Sequence, residues 1–161
     1  MDVLQFALDM ELDGERYYSK QSAKYAETPL KEVFDILAKD EAKHAEILRS
    51  KMDGTAYELK ANELLSSQKN PFSGLDTYKP QVEAMPDQAA LYHEAQKIEQ
   101  QSIDLYTDLR TKAADAQTQS LFDFLIQEES RHYQILEDVF RFVNRPKEWV
   151  ESAEFGLREE Y

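Results

Sequence analysis

An ungapped internal repeat at an offset of 88 residues constrains this 161-residue chain more than any other feature. Ala7 returns as Ala95, Glu11 as Glu99, Tyr18 as Tyr106, Lys24 as Lys112 and Ala26 as Ala114. Further along, Phe34 returns as Phe122, Asp35 as Asp123, Leu37 as Leu125, Glu41 as Glu129, His44 as His132, Ile47 as Ile135 and Leu48 as Leu136. A match sustained without a gap reads as one structural unit used twice. Two copies should then pack about a pseudo-two-fold axis.

The repeated unit is helical. Only four glycines and five prolines occur, and Pro29, Pro71, Pro80, Pro86 and Pro146 separate long segments rich in Ala, Leu, Glu, Lys and Gln. Apolar periodicity predicts helices over about 3–26, 30–52, 88–114 and 119–144, with no run of period-two alternation that would make a strand. Thr28 and Pro29 fit an N-cap followed by proline at the first helical position, and Asp87 fits a cap for the third helix. The first and second helices are a few residues apart, as are the third and fourth, so each pair should form an antiparallel hairpin. Residues 53–86 then form a long crossover, and the apolar tail 145–161, with Trp149, Val150, Phe155, Leu157 and Tyr161, should pack on the bundle or on a second subunit. The expected architecture is one all-α domain over 1–161, a four-helix bundle of two pseudo-symmetric antiparallel hairpins joined by that crossover.

The helical register decides what the repeated acids do. Ala7, Glu11, Gly14 and Tyr18 form one stripe on the first helix, and Ala95, Glu99, Ser102 and Tyr106 form its counterpart on the third. On the second helix the stripe is Phe34, Leu37, Glu41, His44 and Leu48; on the fourth it is Phe122, Leu125, Glu129, His132 and Leu136. Each stripe sets a carboxylate among apolar and small residues on the inward face. Four carboxylates gathered in a core cannot all stay charged and unpaired, because desolvation and mutual repulsion would drive protonation. Two divalent cations would remove that penalty. Carboxylate oxygen with imidazole nitrogen suits iron, manganese or zinc and suits calcium poorly.

A single Glu-x-x-His on a helix is weak support, since most such pairs are a solvated acid near a surface histidine. Here two of the three histidines follow a glutamate by three residues, and both coincide in the repeat with the matching acids Glu11 and Glu99. The candidate metal ligands are therefore Glu11, Glu41, His44, Glu99, Glu129 and His132. His93, whose repeat position holds Gln5, is expected at the surface, and Glu15 is expected beside the ligands or on the surface. Tyr18 and Tyr106 lie two turns beyond Glu11 and Glu99. They read either as core aromatics or as hydroxyl donors to a carboxylate ligand of the opposite hairpin. Gly14 and Ser102 either leave room beside the metals or permit close helix packing.

Glu-Leu-Asp-Gly-Glu-Arg-Tyr-Tyr at 11–18 with Asp-Glu-Ala-Lys-His at 40–44, matched by 99–106 and by Glu-Glu-Ser-Arg-His at 128–132, resembles the rubrerythrin-like branch of the ferritin-like superfamily. The resemblance covers both hairpins. It implies a di-iron protein of oxidative-stress defence, with Glu41 and Glu129 bridging, Glu11 and Glu99 terminal, and His44 and His132 each capping one metal. This chain departs from that pattern at two points. It has no cysteine, so the rubredoxin domain of full-length rubrerythrin is missing and electrons must come from a separate donor such as a rubredoxin or flavoprotein. It also has Ser102 where rubrerythrin carries an additional glutamate.

The expected function is thus a non-haem di-iron oxidoreductase that reduces hydrogen peroxide or dioxygen. The alternatives are a ferroxidase or iron-storage protein and a non-catalytic helical interaction module. With 32 acidic against 19 basic side chains, a net charge of -13, neither nucleic acid nor an anionic membrane is an expected partner. No apolar run approaches the roughly 20 residues of a membrane span, and Met1–Met10 contains Asp2 and Asp9 without a basic residue, unlike a secretory leader. A cytoplasmic homodimer is expected.

Overall fold

The computed structural model describes residues 2–61 and 88–159. Most of the expected crossover, including Pro71, Pro80, Pro86 and the expected cap Asp87, lies outside the described residues, as do the side chains of the expected tail. The described residues form four α-helices and no strand: α1 (Val3–Lys24), α2 (Leu30–Asp53), α3 (Gln88–Lys112) and α4 (Ala116–Glu159). α1 packs along α2 and α3 along α4. None of these helices is long and apolar enough to cross a membrane.

Local chemistry sets most helix ends. Asp2 caps α1, its carboxylate accepting the Leu4 N–H at 3.0 Å. At the start of α2 the structure corrects the expected cap. The Thr28 hydroxyl donates to the Tyr25 carbonyl at 2.8 Å and so spans the α1–α2 turn, while Pro29 already has helical backbone angles and no side chain caps the helix. α2 ends at Gly54, whose φ of 69° is the left-handed conformation that closes a helix most easily without a Cβ.

α4 begins at Ala116, three residues before the expected 119, because Asp115 takes the Thr118 N–H at 2.8 Å. At its far end α4 runs through Pro146 to Glu159 rather than stopping near 144. The expected break at 145 is corrected that far. Proline removes one helical hydrogen bond and crowds the preceding turn at a cost of about 3 kcal/mol. Arg145, Lys147 and Glu148, which flank Pro146, are good helix formers.

Two apolar clusters form the core, one towards each end of the bundle. The first joins Tyr18, Phe34, Leu37, Tyr92, Ile135 and Leu136 with their neighbours; the second joins Ala7, Leu8, Leu48, Tyr106, Leu121, Phe122 and Leu125. The repeat is visible in the packing: Tyr18 stacks on Phe34 at 6.2 Å and 21°, and Tyr106 on Phe122 at 6.1 Å and 23°. The two clusters flank a buried polar belt.

Candidate metal centre

The belt is built from mid-helix positions. Glu11 lies near the middle of α1, Glu41 and His44 near the middle of α2, Glu99 near the middle of α3, and Glu129 with His132 on the part of α4 that packs against α3. All six expected ligands are there, none more than 4 % exposed. Glu11, Glu41, His44 and Glu129 each bring a ligand atom within 4.8 Å of the others, and Glu41, Glu99, Glu129 and His132 do the same. Glu41 and Glu129 belong to both groups.

Each imidazole turns Nδ1 inward. His44 Nδ1 lies 3.1 Å from Glu129, 3.4 Å from Glu11 and 3.6 Å from Glu41. His132 Nδ1 lies 3.3 Å from both Glu41 and Glu129 and 3.6 Å from Glu99. The two rings are nearly parallel, 5.7 Å apart. The tyrosine hydroxyls cross between hairpins: Tyr18 donates to Glu99 and Tyr106 donates to Glu11. Of the two readings the sequence left open, both hold at once, because each ring packs in an apolar cluster while its hydroxyl orients a carboxylate.

The sequence reading missed Asp40 and Glu128, the residues directly before Glu41 and Glu129. Asp40 Oδ2 lies 3.0 Å from His132 Nε2, and Glu128 Oε2 lies 3.5 Å from His44 Nε2. Asp40 is within hydrogen-bond distance of the His132 ring, the arrangement that fixes a ring's orientation and leaves its inner nitrogen free to act as a ligand, whereas Glu128 faces His44 Nε2 as an ion-pair partner without a hydrogen bond. The signal was present: positions 40 and 128 are both acidic and related by the same offset of 88. His93 is exposed and rests against Phe140, and Glu15 is half-buried outside both groups.

Electrostatics shows what the belt lacks. Burial pushes the Glu41 carboxyl up to about 8, reinforced by the charges of Glu11 and Glu99. Burial and the neighbouring Glu129 raise Glu99 to about 8. Burial opposes ionisation of Glu11 as well, but a hydrogen bond from Glu41 and the charge of His44 outweigh it and lower Glu11 to about 2. Burial disfavours the imidazolium form too, yet Glu11 holds His44, and Glu99 with Asp40 holds His132, well above the usual histidine range. Protons on Glu41, Glu99 and the two rings thus offset part of the charge of the buried acids Glu11, Asp40, Glu41, Glu99, Glu128 and Glu129.

Two divalent cations would supply that positive charge instead of the protons. Inward-facing atoms are also left without hydrogen-bond partners, namely Glu11 Oε2, Glu99 Oε2, Glu129 Oε2 and His132 Nδ1. Leaving such atoms unmet costs about 1–3 kcal/mol each. A pair of cations would engage them, so the residues fit the metals they were expected to hold.

A ferritin-like four-helix bundle with a buried carboxylate–imidazole cluster at mid-height is the class that this fold and site define. Within that class, the family model for rubrerythrin matches residues 2–140, and the chain belongs to the rubrerythrin family. Neither a curated protein nor a solved structure matches it.

Proposed function

We propose that the chain is a non-haem di-iron oxidoreductase that reduces hydrogen peroxide or dioxygen with electrons from a separate donor such as a rubredoxin or flavoprotein. The observation that carries this reading is the pair of overlapping ligand groups sharing Glu41 and Glu129. Two iron ions so held would supply Lewis acidity and, between the ferrous and ferric states, two electrons. Reduction of hydrogen peroxide to two waters takes two electrons and two protons.

The protein's own part is positional. Glu11 with His44 would hold one metal, Glu99 with His132 the other, and Glu41 with Glu129 would lie between them. Tyr18 and Tyr106 keep their hydroxyl protons, since burial and then the adjacent Glu99 and Glu11 raise them well above the ordinary tyrosine range. They therefore remain donors that orient the carboxylates. The apolar clusters at either end exclude bulk water and strengthen every interaction in the belt. With no cysteine in the sequence, electrons must enter from another redox centre.

Anaerobic ferrous titration of metal-free protein tests this reading. Saturation at about two irons per chain with release of protons is the expected result, because ligands must lose their protons to bind metal. One equivalent of peroxide should then produce an oxo-bridged ferric absorption spectrum faster than dioxygen does. Uptake of many irons per chain would favour storage instead, and no stoichiometric uptake would overturn the metal reading.

A further inference from the structure

We infer that Asp40, Glu128 and the outer nitrogen of His132 form a third divalent-cation position, outside the metal pair and sharing His132 with it. The position itself stands on its own residues; only its rank, filled after the pair, rests on the di-metal reading above.

Ligand atoms of Asp40, Glu128 and His132 all lie within 4.8 Å of one another, in a third group beside the two that share Glu41 and Glu129. Both hairpins contribute, Asp40 from α2 and Glu128 with His132 from α4. None of the three residues is more than 3 % exposed. Asp40 Oδ2 is 3.0 Å from His132 Nε2, whereas His132 Nδ1 faces Glu41, Glu99 and Glu129. The group therefore gathers on the side of the ring turned away from the belt. Arg131 holds Glu128 through Oε1 at 2.8 Å, which leaves Oε2 on the histidine side. Two carboxylates with an imidazole nitrogen form a donor set for borderline divalent cations.

A second observation points to the same place. Of the belt's buried atoms without a hydrogen-bond partner, Glu11 Oε2, Glu99 Oε2, Glu129 Oε2 and His132 Nδ1 face inward, but His44 Nε2 does not. This nitrogen belongs to a residue 1 % exposed and lies 3.5 Å from Glu128 Oε2. Cations held at the inward atoms leave it unmet. It borders the outer group through Glu128, so a cation held there has a further buried nitrogen at its edge.

The shared ring sets the order of filling. A neutral imidazole carries one proton and one free lone pair. With a metal on Nδ1, His132 keeps its proton on Nε2, facing Asp40. A cation at Nε2 must displace that proton, since a ligand atom binds metal only when deprotonated. The outer position is therefore weaker than the pair and fills after it.

A zinc titration of metal-free protein tests this, zinc being redox-inactive. Nitrogen NMR of isotope-labelled imidazoles follows it, because the chain has only three histidines. As the pair fills, Nδ1 of His44 and of His132 should move to the metal-bound range while both Nε2 atoms keep their attached protons. Further zinc should remove the proton from His132 Nε2 and shift that nitrogen in turn. Glu128→Gln and Asp40→Asn should each lose this second step while still moving both Nδ1 signals. A His132 Nε2 that keeps its proton at every zinc concentration would overturn the outer position and leave the pair standing. A second step unchanged in both variants, or one confined to the exposed His93, would overturn it too. Movement of His132 Nε2 without movement of either Nδ1 would instead overturn the metal pair and retain the outer position.

Discussion

The two hairpins carry the same ligands on the same scaffold and differ around them. Glu11, Glu41 and His44 correspond to Glu99, Glu129 and His132, and the tyrosine–phenylalanine stacks that flank them agree within 0.1 Å and 2°. Outside that set the copies diverge. Gly14 faces Ser102, and Asp40 corresponds to Glu128. Arg131 donates to Glu128 at 2.8 Å, whereas its counterpart Lys43 donates to the Lys60 carbonyl at 2.5 Å. Ser22 bonds Asp35 where Arg110 bonds Asp123 at 2.6 Å. The geometry of the six inward residues thus ties the copies together, while the residues one layer out make the surroundings of the two ligand groups unequal.

Removing a shared ligand should have the largest effect. Glu41→Ala or Glu129→Ala should abolish binding at both positions, whereas Glu11→Ala or Glu99→Ala should leave about one metal per chain. Metal content after equilibrium dialysis distinguishes the two patterns. Equal losses for all four variants would break the assignment of shared and unshared carboxylates.

The next largest effect is expected from pH on the metal-free protein. Glu41 and Glu99, at about 8 when folded, lie above their ordinary value of 4.5, so the unfolded chain holds fewer protons between those limits. Stability should fall as pH rises across that window. His44 and His132 act in the same direction: their contribution is complete below 6.5 and is lost as pH rises through their higher folded values. Glu11, lowered to about 2, contributes stability that is present above 4.5 and lost below it. The melting temperature should therefore peak near pH 5. Glu99→Gln should flatten the decline towards pH 8, and Glu11→Gln should flatten the acid limb. The same response from both variants would mean that these two acids share one environment after all.

A smaller effect is expected one layer out. Asp40→Asn and Glu128→Gln should each weaken metal binding by about 10–100-fold, the usual cost of losing a partner behind a ligand histidine. Asp40→Asn should be the worse of the two, because its contact with His132 is 3.0 Å and the Glu128–His44 approach is 3.5 Å with Glu128 shared with Arg131. Competition with a chelator of known affinity measures both. The smallest effect belongs to the surface: Arg110→Ala should leave the melting temperature essentially unmoved, since the Arg110–Asp123 pair is nearly half exposed and solvent screens it.

The helices, their pairing into hairpins and the six inward residues were legible in the sequence. These depend on spacings of three and four along one helix and on an offset that repeats without a gap. Such spacings are local, so periodicity alone sets which side of a helix Glu41 and His44 share. What crosses between the hairpins emerged only from their packing. Which nitrogen of His44 and His132 faces inward, Asp40 behind His132, Tyr18 on Glu99 and Tyr106 on Glu11 all join residues 81–95 positions apart or follow from such contacts. No local spacing encodes a contact made only when two hairpins close on one another. The fold also shows that α4 continues through Pro146, where a proline's cost competes with a helix already propagating, and that Gly14 packs closely on the Glu41 side chain, where an added Cβ would lie only 3.3 Å from Cδ.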